Sequence, residues 1–78
     1  MIHPVTCLVQ YETPLKQWCV STYDDHGNLL KINMVNGKAE AMRKAREGQA
    51  MHGYDIIEHD RSGSVLRKHR GMEHDVNV

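Results

Sequence analysis

Lys38–Gly63, KAEAMRKAREGQAMHGYDIIEHDRSG, decides the fold, because it reads without a break as a helix, a glycine stop, a strand and a tight turn. On a wheel of about 100° per residue, Ala41, Met42, Ala45, Gly48, Gln49 and His52 fall on one side, and Glu40, Arg43, Lys44 and Glu47 on the other. The inward side is built of small residues, so the helix can approach a sheet closely and the bulk must come from the sheet, with Trp18 its best supplier. Glu40 with Lys44, and Arg43 with Glu47, are four apart and lace the outer side with weak ion pairs. Gly53 suits a left-handed C-terminal cap, and Asn36 is placed to cap the start. Beyond the stop, Tyr54–His59 reads as a strand with Ile56 or Ile57 inward. Asp60-Arg61-Ser62-Gly63 then turns it back into a last strand over Ser64–Arg70.

Working toward the N-terminus, the chain is a series of short alternating runs. Leu29–Val35 places Leu30, Ile32 and Met34 on one side and Lys31 and Asn33 on the other. Gln17–Tyr23 offers Trp18 and Val20 as inward residues, and Val5–Tyr11 offers Val5, Cys7, Val9 and Tyr11. The connections Glu12-Thr13-Pro14 and Asp24-Asp25-His26-Gly27-Asn28 carry turn residues. The predicted architecture is α+β: an antiparallel sheet of about five strands, in the order β-β-β-α-β-β, with one helix packed on one face. All 78 residues form a single small domain, with 1–4 and 71–78 expected to fray at its ends.

Composition limits the function classes. Ten basic residues balance ten acidic ones, so there is no overall field to hold a polyanion and any charge argument must be local. Two cysteines cannot staple a secreted miniprotein, no stretch resembles a signal peptide, and no apolar run approaches the roughly 20 residues that span a bilayer. These features predict a cytoplasmic, water-soluble protein. Cys7 and Cys19, placed on adjacent strands where they can face one another, are read as buried free thiols rather than a bridge.

The residues also carry two resemblances. Trp18-x-Val20 on a strand, Lys38-Ala39-Glu40-Ala41 opening a helix, and Ile56-Ile57-x-His59-x-x-x-Gly63-x-Val65 resemble a small bacterial and phage family known only as a domain of unknown function. That match runs from about Gln17 to Asp75 and leaves Met1–Lys16 as an added strand. Ala41-x-Arg43-x-Ala45, Gln49 and His52-Gly53, with the strand closed by Gly63, are more weakly similar to a family of phage-encoded inhibitors of type I-F CRISPR surveillance complexes. This second resemblance implies a protein that occupies a nucleic-acid channel on a larger complex and performs no catalysis.

Candidate chemistry is sparse. The six histidines lack the close Cys or His pairs of a zinc site, and Asp24-Asp25-His26 is too short for a calcium loop. No serine or cysteine stands in a nucleophile context, and no glycine-rich phosphate loop is present. His52, at the helix end, is better placed to meet the last carbonyls than to act as a base. A thin two-layer domain is also expected to lack the cavity of about 300 Å³ that a small-molecule site needs. No catalytic residue, cofactor or metal is therefore assigned.

What stands out is charge. Lys38–Arg70 holds eight basic and five acidic residues, against two and three in the first 37. Arg43, Lys44 and Arg46 on the helix, and Arg61, Arg67, Lys68 and Arg70 on the last hairpin, are the candidate partner-binding residues. The expected function is a non-catalytic interaction protein of phage or bacterial origin that binds a protein or ribonucleoprotein complex, an anti-CRISPR inhibitor being its narrow form. The alternatives are a nucleic-acid-binding module with a double-stranded-RNA-binding layout, although stacking aromatics are missing, and a homodimer paired through a sheet edge.

Overall fold

The computed structural model describes residues 3–71. The expected termini at 1–2 and 72–78 lie outside this range. Five strands, β1 (Thr6–Glu12), β2 (Gln17–Tyr23), β3 (Leu29–Val35), β4 (Asp55–His59) and β5 (Val65–His69), form one sheet, and α1 (Lys38–His52) packs on one of its faces. The order across the sheet is β3-β2-β1-β4-β5.

The pairings are antiparallel except for one. β4 runs parallel to β1, with Cys7 opposite Ile56 and Val9 opposite Glu58. A helix of 15 residues is about 22 Å long, which matches the run of a seven-residue strand. It therefore carries the chain diagonally back over the sheet from the β3 edge and releases it beside β1, whose second edge is free.

Register assigns every strand residue to a face. Toward the helix point the rows Val35, Trp18, Tyr11 and Lys31, Thr22, Cys7, Ile56, His69, with Asn33, Val20, Val9, Glu58, Arg67 between them. The buried core combines Cys7, Val9, Trp18, Val20, Val35 and Ile56 with Ala41, Met42, Ala45 and Tyr54. Trp18 supplies the bulk, packed at 5.4 Å on Tyr11. Among the described residues the other face has no covering layer. There Ile32, Ser21, Leu8 and Ile57 form a row across the strands, and Ser21 and Cys19 are buried.

Cys7 and Cys19 therefore do not face each other. Cys7 lies opposite Thr22 under the helix, Cys19 lies opposite Gln10 on the open face, and both are free thiols. A bulge at Thr22/Tyr23 turns Leu30 out of the strict alternation expected along β3.

Turn chemistry secures the hairpins. Asp24 Oδ1 accepts the backbone N–H groups of His26 at 2.9 Å and Asn28 at 2.8 Å, while Asp60 Oδ1 accepts those of Ser62 at 2.9 Å and Ser64 at 3.0 Å. These donors hold both carboxyls below the usual aspartate range, led by Asn28 for Asp24 and by the Ser62 hydroxyl for Asp60. The helix N-cap is Gly37, which has no side chain to offer, so there is no side-chain cap; Asn36, one residue earlier, accepts a hydrogen bond from Gln17 at 3.0 Å instead. Gly53 ends it in the left-handed conformation, φ 76°, and its N–H donates to the Gln49 carbonyl.

Two close approaches fix how α1 sits. The Tyr54 ring lies in the notch over Gly48, where a Cβ would come 1.9 Å from the phenolic oxygen, and its hydroxyl donates to the Ala45 carbonyl at 2.8 Å. Gly71, rather than fraying, is buried against the Gly53 carbonyl, and its N–H donates to Asp55 Oδ1 at 2.8 Å. Gln49 Nε2 lies 3.0 Å from the Tyr54 carbonyl and 3.2 Å from those of His69 and Arg70, tying the helix end to β4 and β5.

Ordinarily alanine is favoured over glycine inside a helix by about 1 kcal/mol. At position 48 the sign reverses, because the ring must leave a filled site: Gly48→Ala is expected to cost about 1–3 kcal/mol in urea-induced unfolding, the usual range for overpacking.

Candidate functional site

Register separates the candidate cations. Arg67 and Lys68 are neighbours in sequence but face opposite sides of β5, Arg67 with Glu58 on the helix side and Lys68 with Ile57 on the open side. On α1, Lys44 lines a cleft against β3, whereas Arg46, three residues before Gln49, lies on the flank joined to β5. The density of RKHR in the sequence is thus not a single dense patch on the surface.

Several of these charges are already engaged. Arg43 makes two hydrogen bonds to Glu40, at 3.0 and 2.6 Å, and a third to Glu47 at 2.5 Å. The guanidinium holds the Glu40 carboxyl below its usual range. Arg61 lies over the Tyr11 ring, 4.6 Å from its centroid, and Lys68 Nζ is 3.8 Å from Asp55. Arg46, Arg67 and Arg70 are exposed and make no ion pair among the described residues. Arg46 and Arg67 lie on the helix side of the α1/β5 flank, and Arg70 directly follows β5, where the same alternation sets it with Lys68.

At the centre of that flank is a charged group that the helical wheel makes visible only when Lys38 is put on its inward side. Lys38 is three residues before Ala41 and seven before Ala45, so it points at the sheet. Its ammonium lies 2.7 Å from Glu58 Oε2 and 5.5 Å from the Trp18 ring centroid, while His69 Nε2 lies 2.9 Å from Glu58 Oε1. The Glu58 side chain is only 12% exposed. Lys38 first, and then His69, draw its carboxyl below the usual glutamate range. This cluster joins the helix start, β4 and β5, and sets Arg67 beside it.

The second concave feature is a cleft of about 520 Å³ between the later half of α1 and the β2–β3 corner. It exceeds the volume expected of so thin a domain. The diagonal helix leaves that corner uncovered, and Gly48 adds no side chain to fill it. Val20, Leu30 and Met51 supply its apolar wall, with Lys31 and Lys44 at its sides.

Neither feature assembles a nucleophile with a base. Burial pushes the Cys7 thiol up to about 11 and raises Cys19 as well, so both stay protonated near neutral pH. The Tyr54 phenol is raised by burial and by Cys7, and its proton is committed to Ala45. Among the described residues no three His, Cys, Asp or Glu side chains gather as a metal site, and no helix is long and apolar enough to cross a membrane.

No protein-family model matches the chain, and no match was found among curated proteins or solved structures.

The Glu58 cluster gives the flank a pH signature. A carboxyl lowered in the folded state stabilises fully above its unfolded value of about 4.3, and that contribution disappears as the pH falls through the lower folded value. Glu58→Gln is expected to flatten this acid limb and to cost about 1–3 kcal/mol at pH 7, from urea melts of both proteins at pH 7 and pH 3.

Proposed function

We propose that this is a non-catalytic binding protein that docks through the α1/β5 flank onto an acidic surface of a larger protein or ribonucleoprotein. The observation that carries this reading is the contrast between engaged and unengaged cations: Arg43, Arg61 and Lys68 have partners within the fold, whereas Arg46, Arg67 and Arg70 make no ion pair among the described residues and are exposed on or beside β5 and the adjoining side of α1; Lys44, also without an ion pair, lines the cleft instead. Guanidinium groups suit such a role because they bind carboxylate and phosphate oxygens in pairs. The Lys38–Glu58–His69 cluster beneath them holds the flank's shape. The protonated thiols of Cys7 and Cys19 favour binding over covalent chemistry.

The narrow form of the reading takes a type I-F CRISPR surveillance complex as partner, and its support is the residue similarity around α1. Ala41 and Ala45 in that similarity are buried against the sheet, Gln49 ties the helix to β5, and Gly53 is the cap. Most of the shared positions thus build the fold rather than contact a partner. Co-elution with a reconstituted complex at micromolar concentration supports this form, and its absence removes it.

The second reading, a nucleic-acid-binding module, uses the same three arginines on bare duplex. It requires an affinity that falls with salt at a log–log slope of about −3 for three phosphate contacts. The triple charge reversal Arg46→Glu, Arg67→Glu, Arg70→Glu is expected to weaken partner binding at least about a hundredfold, several kcal/mol being typical for charged contacts at an interface. Unchanged binding by the variant, measured by titration calorimetry with the isolated partner, would falsify the assignment of the flank.

A further inference from the structure

The two edges of the sheet differ in a way that bears on assembly. β5 is five residues long and carries Arg67 and Lys68 with Arg70 directly after it, and both edge strands are bulged, β5 at Glu58/His59 and β3 at Thr22/Tyr23. Short length and cations are among the usual means of keeping an edge from pairing with another chain. β3, at the opposite edge, has seven residues, LLKINMV, with Lys31 its one charge. Its side chains are largely uncovered: Leu29 is 53% exposed, Ile32 54% and Met34 36%.

From this contrast we infer that β3 pairs with β3 of a second copy, antiparallel and about a two-fold axis through Ile32, joining two sheets into one of ten strands. A two-fold normal to the sheet requires paired residue numbers to have an even sum, so that each side chain meets one from the same face. Centred on Ile32, the pairing sets Lys31 opposite Asn33 of the second copy on the helix side and Ile32 against Ile32 on the open side, while the bulged Leu30 stays turned toward the cleft. Every cation then meets a neutral acceptor. Centred on Lys31, it would oppose two ammonium groups, and centred on Asn33, it would set Lys31 against Val35. β3 is therefore self-complementary in one register. A β3-to-β5 contact would instead be head-to-tail and would bring Lys31 toward the arginines of β5.

The dimer changes the cleft as well. Leu30, Lys31 and Asn33 form the cleft's outer side along β3. In the ten-stranded sheet the two clefts lie on the same face across the axis, each walled by Lys31 and Asn33 of the other copy. The α1/β5 flanks stay free at the far ends, about 45 Å apart at ten strands of about 4.8 Å. If the flank binds as proposed above, the dimer is bivalent toward a partner with repeated sites. The pairing itself does not depend on that reading.

Sedimentation velocity from about 1 to 200 μM tests the inference, with Ile32→Lys as the disrupting variant. Wild type is expected to shift from monomer to dimer over this range, and the variant's dissociation constant to rise at least about tenfold, since two lysines replace the apolar pair on the axis. Circular dichroism checks that the variant remains folded. Ile32→Cys tests the register: its paired Cα atoms would be about 4.5–5.5 Å apart, within disulfide range, so mild oxidation should yield a covalent dimer. The same oxidation of Lys31→Cys should leave it uncrosslinked. A monomer at 200 μM, an unshifted Ile32→Lys variant, or preferential crosslinking through position 31 would each overturn the proposal.

Discussion

The fold depends on one fit, the Tyr54 ring beneath Gly48. The inward face of α1 is made of Ala41, Met42, Ala45 and Gly48, of which only Met42 is large. Tyr54 supplies what they lack, since its ring fills the notch and its hydroxyl satisfies the Ala45 carbonyl. Because Tyr54 directly precedes β4, the same ring sets where that strand begins, and so the parallel register of β4 on β1. Gly71 against Gly53 repeats the principle at the end of β5: a residue without a side chain lets two backbones meet.

From the seating of the helix follows the division of the surface. The diagonal path of α1 closes the sheet on the β4–β5 side, where Lys38, Glu58 and His69 form a half-buried ionic group, and leaves the β2–β3 corner open as a cleft. The closed side carries the unengaged arginines, and the open side carries the unguarded strand. The two edges of the sheet are therefore chemically distinct: β5 is short and carries two cations, whereas β3 is longer and carries one. A partner of opposite charge suits the first, and a copy of the same strand suits the second.

Much of the fold was legible because it is written in local pattern. The helical face of Ala41, Met42 and Ala45, the Gly53 stop, the limits of β2 and β3, and the inward positions of Trp18 and Val20 all follow from periodicities of 3.6 and 2. What was not legible depends on partners distant in sequence. No local pattern in β4 specifies β1 as its neighbour, and the separation of Cys7 from Cys19 depends on a hairpin register that opposes Cys19 to Gln10. Asn36 has the right chemistry for a cap, but Gln17 claims it across the sheet. The scatter of the basic residues is a different matter. Consecutive strand residues face opposite ways, so RKHR already implied that Arg67 and Lys68 could not share a face, and density along the chain overstated density on the surface. Lys38 was equally accessible on the wheel, three residues from Ala41, yet its charge argued for solvent when its position argued for the sheet.

The fit of Tyr54 to Gly48 is tested most directly by a double-mutant cycle in urea, comparing the cost of alanine at position 48 with and without the ring. On a Tyr54→Ala background the notch is empty, so the cost of Gly48→Ala should vanish or reverse to the gain of up to about 1 kcal/mol that helix propensity gives. An equal cost on both backgrounds would mean that Gly48 is required for some reason other than Tyr54, and would contradict the account of how α1 is seated.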